Sequence, residues 1–127
     1  MFELDLRSHK SIYEQITDKF KELIMTGELE CGAKIPSVRD LSKTLGVNPN
    51  TIQKAYRELE RQGYIYTATG VGTFVADKRD IKPDHEAVEK AKETIRGGFK
   101  ELLYLGLSAE EAMKIAQEEI REKGEDK

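Results

Sequence analysis

This sequence of 127 residues has a single cysteine and no long apolar run, and each lack excludes a class of protein. With Cys31 alone, no disulfide can form within the chain, which fits a reducing compartment. No stretch is apolar over the 18 or so residues that a membrane-spanning helix needs. The opening MFELDLRSHK is too polar for a secretion signal. We therefore expect a cytoplasmic protein without a membrane partner.

Groupings of catalytic or metal-binding residues are also missing. No paired carboxylates, nucleophile with a base, or phosphate-binding loop before a helix is recognisable. His9 and His85 are isolated from acidic or cysteine neighbours at ligand spacing. The sequence therefore predicts a protein that is not an enzyme and that holds no metal and no cofactor.

The charge is distributed unevenly along the chain. The formal net charge is −3, which at first sight argues against a nucleic-acid partner. Residues 36–79, however, hold seven basic and four acidic side chains, whereas residues 80–127 hold nine basic and thirteen acidic ones. Such a split hints at one part that faces nucleic acid and another that faces solvent or a partner.

Three helices are predicted in the first half of the chain. Ser11-Ile-Tyr-Glu14 is a capping box that opens a first helix at about 11–27, with apolar residues behind it at helical spacing. A second helix at about 37–45 ends at Gly46. Asn48 caps a third helix at about 49–62, whose first position is Pro49. Before them, the alternating Phe2, Leu4 and Leu6 fit an edge strand or a docked arm.

A hairpin and two further helices follow. Residues 64–67 and 73–75 are rich in strand formers and flank a turn with two glycines, which predicts a β-hairpin. A fourth helix is expected at about 85–105, interrupted at Gly97-Gly98, and a fifth behind the capping box that begins at Ser108. The predicted fold is mainly α with a small hairpin. It divides into a winged helix-turn-helix at 1–76, a linker at 77–84 and a helical segment at 85–127.

A short helix, a glycine turn and a second helix that opens on polar residues are the layout of a helix-turn-helix. The first turn of a recognition helix meets base edges, and Asn and Gln can pair bidentately with adenine. An arginine on the preceding helix can clamp a phosphate. The candidate DNA contacts lie on these two helices and at the hairpin tip, where the backbone can approach: Arg39, Asn48, Asn50, Thr51, Gln53, Lys54, Arg57, Thr69, Gly70 and Val71. For Lys54 and Arg57, a phosphate contact and a merely solvated surface are both open.

An ordered set of short motifs resembles the DNA-binding domain of the GntR family of bacterial regulators. The motifs are P-S-x-R-x-L at 36–41, L-G-V at 45–47, N-T at 50–51, A-Y-x-x-L at 55–59, G-Y-I at 63–65 and G-x-G-T-F-V at 70–75. The two short helices after the hairpin resemble those of the YtrA subfamily. That resemblance implies a homodimeric repressor that binds double-stranded operator DNA and often controls transporter or cell-envelope genes. The family commonly has an arginine just before the first wing glycine, where this chain has Thr69.

The helical segment is too narrow for a core of its own, so its apolar stripe is expected to pack against a second copy. The stripe consists of Val88, Ile95, Phe99, Leu102, Leu103, Met113 and Ile120. Packing back on its own domain is the other interpretation of this stripe.

Any small-molecule effector is unknown. The alternative function is a winged-helix protein-interaction module that does not bind DNA.

Overall fold

A computed structural model describes the backbone of residues 3–124 and the side chains of residues 3–121. It contains five α-helices and one small antiparallel sheet, which confirms the predicted fold class. The chain divides into two compact units, and the division lies between Lys82 and Pro83. Within the described residues, no helix is long and apolar enough to cross a membrane.

Three helices of the first unit begin and end where local signals predict. Helix α1 spans Ile12–Met25, α2 spans Val38–Leu45 and α3 spans Pro49–Arg61. The capping box at the start of α1 is formed, because the Ser11 hydroxyl accepts the backbone N–H of Glu14 at 3.1 Å. Helix α2 ends at Gly46, whose φ of +66° lets the chain turn sharply into α3.

The sheet has one strand more than the predicted hairpin. Strands β2 (Ile65–Ala68) and β3 (Gly72–Val75) form the hairpin, and β1 (Lys34–Ile35) pairs antiparallel with the other edge of β3. Periodicity could not predict β1, because two residues show no alternation and their pairing partner lies far along the chain. The extra strand fixes the segment before α2 against the wing, which is the β2–β3 hairpin.

The core of the first unit lies between the helices and the inner face of the sheet. Its largest fully buried side chains come from α1, α3 and β3: Phe20, Ile16, Ile24, Ile52, Leu59 and Val75. Leu4 packs against this core, although residues 3–10 form no strand. The segment is thus not an edge strand and is docked through Leu4, whereas Leu6 is 85% exposed and Phe2 lies outside the described residues.

The predicted linker at 77–84 is ordered in its first part. Residues Lys78–Asp80 form a 3-10 helix, and the backbone N–H of Lys82 donates to the Gln62 carbonyl at 3.0 Å. A Cβ on Gly63 would lie 2.0 Å from the Asp80 carbonyl oxygen, so only glycine permits this approach. The chain up to Lys82 therefore belongs to the first unit, beside the end of α3.

The second unit is a pair of packed helices, α4 (His85–Tyr104) and α5 (Ala109–Gly124). The expected interruption at Gly97-Gly98 is wrong, because α4 runs through both glycines. Each glycine costs about 1 kcal/mol in helix propensity, and the length of this helix and its cap at Asp84 offset that cost. Only Ala112 is buried among the described side chains of this unit.

Candidate nucleic-acid interface

The first turn of α3 presents polar side chains to solvent. The Asn48 carbonyl oxygen Oδ1 accepts the backbone N–H of Asn50 at 2.8 Å, so Asn48 acts as the helix cap. Asn50 and Gln53 are exposed, and Thr51 is half-buried. This turn therefore offers two amide side chains and a hydroxyl on one accessible surface, together with the amide nitrogen of Asn48.

The opposite face of α3 holds the helix in place. Ile52, Ala55 and Leu59 are fully buried in the core. The buried Tyr56 hydroxyl donates to the Pro36 carbonyl oxygen at 2.6 Å, and its ring packs edge-on against Phe20 at 5.5 Å between centroids. Burial raises the pKa of the Tyr56 phenol far above its usual value, so this donor keeps its proton. The bond ties α3 to the residues that lead into α2.

Arg39, near the start of α2, is a cation without an ion-pair partner among the described residues. The residue is exposed, and its guanidinium makes no hydrogen bond or ion pair within the described part of the chain. Because its N–H groups form no hydrogen bond within the described residues, the guanidinium is available to a phosphate or to a guanine edge. Among the predicted contacts, Arg39 and the first turn of α3 lie on the two consecutive helices of one helix-turn-helix.

The cations further along α3 differ in what they contact. The Lys54 ammonium lies 4.5 Å from the centroid of the Tyr13 ring, a cation–π contact with α1. Arg57 is exposed and has no ion pair among the described residues. Arg61, by contrast, is paired with Glu58 at 2.5 Å. Hydrogen bonds from Arg61 and then from Gln62 lower the pKa of Glu58 to about 2. Positive charge is therefore available at Arg57 and compensated at Arg61.

The tip of the wing is exposed and uncharged. The backbone N–H of Val71 donates to the Ala68 carbonyl oxygen at 2.9 Å and closes a three-residue loop of Thr69, Gly70 and Val71. Val71 is 63% exposed. The loop is small enough for its backbone to approach another surface closely, but it brings no cation of its own.

Sequence reasoning missed Lys34, which the sheet places beside the wing tip. Lys34 lies opposite Phe74 in the β1–β3 ladder, and its side chain crosses the neighbouring Gly72. A Cβ on Gly72 would lie 2.7 Å from Cε and 3.4 Å from Nζ of Lys34. The only sequence signal was a basic residue just before Ile35-Pro36, which says nothing about the hairpin until β1 is known.

An apolar groove runs between α4 and α5 in the second unit, with a volume of about 850 Å³. Five residues of the predicted stripe line it: Ile95, Phe99, Leu102, Met113 and Ile120. Val88 and Leu103 are exposed but lie outside its lining. Ile95 and Ile120 are each 72% exposed, so the groove shows apolar surface to its surroundings.

Metal ligands do not gather in the described part of the chain. No group of three or more His, Cys, Asp or Glu side chains there is placed to hold an ion, and Cys31 is exposed and unpaired.

Residues 12–75 match the family model of the bacterial regulatory proteins of the gntR family. The chain is 38% identical over 110 residues to the HTH-type transcriptional repressor YtrA of Bacillus subtilis, covering 87% of this chain and 85% of that protein. A transcriptional antiterminator from Listeria monocytogenes EGD-e has a similar structure, with a TM-score of 0.77, 42% identity, and coverage of 93% of this chain and 88% of that one. YtrA from Sulfolobus acidocaldarius, a GntR-family transcription factor, has a TM-score of 0.62 and 34% identity over 75% of this chain and 96% of its own.

Proposed function

The chain belongs to the GntR family of DNA-binding transcription regulators, and we propose that it is a homodimeric repressor of a pseudo-palindromic operator. The observation that carries this proposal is that the first turn of α3 is exposed and polar, while Arg39 on the preceding helix α2 is exposed and has no ion pair among the described residues. A repressor of this kind acts in the cytoplasm, where bacterial operators lie. The targets that we propose are transporter or cell-envelope genes, as the resemblance of its two terminal helices to the YtrA subfamily implies.

Base recognition falls to the first turn of α3. Asn50 and Gln53 carry amides that can pair bidentately with the N6 and N7 edge of adenine in the major groove. The Thr51 methyl can meet a thymine methyl. Asn48 contributes less to base recognition, because its Oδ1 already caps the helix and only its amide nitrogen is left for DNA. Specificity should therefore follow Asn50 and Gln53 more closely than Asn48.

Phosphate contacts supply most of the affinity. Arg39 on α2 and Arg57 on α3 are exposed and lack ion pairs within the described residues. Phosphate contacts fix register without reading sequence, and their strength falls as salt rises. Lys54 joins them only if its ammonium leaves the Tyr13 ring, so we rank it below the two arginines.

Dimerisation falls to the second unit. Its groove between α4 and α5 exposes Ile95, Met113 and Ile120, a set of apolar side chains that water solvates poorly. A second copy would cover the same surface by two-fold symmetry and bring two recognition helices to one DNA. We expect half-sites whose centres lie about 10 bp apart or a multiple of that distance.

The experiment that tests operator binding is substitution of Arg39. We expect Arg39→Ala to weaken binding to a duplex selected from a random pool by roughly 10- to 100-fold, because a charged donor to DNA is lost. Fluorescence anisotropy over a salt titration measures the effect. Arg79→Ala is the matched control, because Arg79 is exposed in the same unit but is paired with Asp77 at 2.9 Å. Unchanged affinity of Arg39→Ala at every salt concentration would remove Arg39 from the interface.

A protein-interaction module is the second candidate, favoured by the net charge of −3 and by the uncharged wing tip. Such a module should leave every DNA fragment unshifted in a gel at moderate salt and micromolar protein. Enrichment of a symmetric sequence from the random pool would instead support the repressor.

A further inference from the structure

We propose that Lys34 supplies the positive charge of the wing and contacts a DNA phosphate beside the hairpin tip. The inference rests on the proposed operator binding and adds to it a contact residue outside the helix-turn-helix and outside the hairpin. It follows from the pairing of β1 with β3, from the glycine that Lys34 crosses, and from the absence of a partner for its ammonium among the described residues.

Strand pairing sets the position of Lys34. Lys34 faces Phe74 across the β1–β3 ladder, and Phe74 faces Tyr66 across the β3–β2 ladder, so the three side chains form a row on one face of the sheet. The rings of Tyr66 and Phe74 stack at 5.7 Å between centroids and fill that part of the face. The next position on the same face, towards the tip, is Gly72, which has no side chain.

The Lys34 side chain uses the space that Gly72 leaves. An ideal Cβ on Gly72 would lie 2.7 Å from Lys34 Cε, 3.4 Å from Nζ and 3.6 Å from Cδ, so the outer half of the lysine crosses this glycine. Gly72 is paired with Ala68, directly next to the loop of Thr69, Gly70 and Val71. The ammonium of a strand outside the hairpin thereby lies at the hairpin's exposed end.

The Lys34 charge is not compensated nearby. Lys34 is exposed, and its ammonium makes no ion pair or hydrogen bond within the described part of the chain. Asp40 lines the same shallow groove between wing and α2 but forms no ion pair with Lys34. Two other lysines of the first unit are engaged: Lys10 pairs with Asp18 at 2.6 Å, and Lys78 donates to the Met25 carbonyl at 3.3 Å.

The chemistry fits a phosphate rather than a base edge. A lysine ammonium is a compact charge on a flexible stem, without the planar fork that makes arginine read guanine bidentately. The loop of Thr69, Gly70 and Val71 lets the backbone come close to DNA but leaves the wing without charge. Lys34 restores one positive charge at that end, so it should add affinity and salt dependence but no sequence preference.

The test is Lys34→Gln in the full chain, with Lys82→Gln as the matched control. Lys82 is exposed in the first unit but lies beside Gln62, at the end of α3 away from its first turn. We expect Lys34→Gln to bind the selected duplex on the order of tenfold more weakly at low salt, since each dimer loses two phosphate contacts. The slope of log affinity against log salt should fall by about 0.9 per lost contact. Non-specific duplex should be affected equally, and Lys82→Gln should match the unsubstituted protein in both measurements.

A charge-transfer variant sharpens the test. Adding Thr69→Arg to Lys34→Gln places a cation on the loop itself, and we expect it to restore both the affinity and the salt slope. Binding of Lys34→Gln that equals the unsubstituted protein in affinity and slope would overturn this inference while leaving operator binding intact. Failure of the unsubstituted protein to bind any duplex would overturn the proposed function, and this inference with it.

Discussion

The two units of the chain differ in where their apolar side chains lie. In the first unit, Ile16, Ile52 and Leu59 are fully buried between helices and sheet. In the second, α4 has no buried residue, and Ile95 and Ile120 are each 72% exposed. The first unit therefore carries its own core, whereas the described side chains of the second unit bury only Ala112 and leave an apolar surface.

This difference assigns different sources of stability to the two units. Burial of apolar surface contributes about 25 cal/mol per Å², and a protomer gains that contribution only where its own chain covers the surface. The first unit gains it within one chain. In the proposed dimer, the second unit would gain it when another copy covers the groove, so the stability of this unit should rise with dimer formation.

We expect the largest effect from a substitution that prevents two copies from associating through the second unit. Ile95→Glu places a charge in the groove of each copy, where covering it would desolvate two carboxylates. We expect monomers in sedimentation velocity and a loss of operator affinity of about 100-fold or more, because bivalent binding disappears. The first unit of each protomer should keep its fold, because its core does not include Ile95.

Lys90→Glu is the matched control for association. Lys90 is exposed on the same helix but does not line the groove, so a glutamate there should leave a dimer. A dimer of undiminished affinity in the Ile95→Glu variant would show that this groove is not the interface. The stripe of Ile95, Phe99 and Leu102 would then serve another purpose.

The fold of the first unit was largely predictable because its signals are local. Ser11 and Asn48 cap their helices within three residues, and the apolar positions of α1 and α3 recur at the helical period. The strand β1 was not predictable, because it becomes a strand only through pairing with β3. The uninterrupted α4 was missed because a propensity argument at Gly97-Gly98 neglects the rest of a twenty-residue helix.

The candidate site was predictable to the same degree. Arg39, Asn50 and Gln53 follow from motif spacing along consecutive helices, and the structure leaves all three accessible to solvent. The contact of Lys54 with Tyr13 depends on how α3 packs against α1, and the approach of Lys34 to Gly72 depends on sheet pairing. Both are tertiary contacts that linear spacing does not encode.

A prediction of intermediate size tests whether apolar residues are covered within one chain, as in the first unit, or between two copies, as proposed for the second. Leu59→Ala removes a fully buried side chain from α3, and we expect a loss of about 2–5 kcal/mol in the free energy of unfolding. The loss should be the same at every protein concentration in urea titrations followed by circular dichroism. Ile120→Ala is the contrasting variant, because its destabilisation should depend on how much dimer is present. Equal, concentration-independent losses in both variants would remove the distinction between the units.

The smallest expected effect is a pH dependence confined to the first unit. Hydrogen bonds from Arg61 and Gln62 lower the pKa of Glu58 to about 2, below its ordinary value of 4.5. A carboxyl whose pKa is depressed on folding stabilises the folded state above pH 4.5, and this contribution disappears as the pH falls towards 2. Because Glu58 is partly exposed, solvent screening limits the contribution to about 1 kcal/mol.

The variant that measures this contribution is Glu58→Gln. It should lose about 1 kcal/mol of stability at about pH 6 and only about a quarter of that at about pH 2.5, in urea titrations at one protein concentration. Glu28→Gln, at an exposed turn without an ion pair among the described residues, is the control and should behave like the unsubstituted chain. An equal loss at both pH values would mean that the amide is disfavoured at this position for packing reasons. The charge of Glu58 would then contribute nothing to the stability of the first unit.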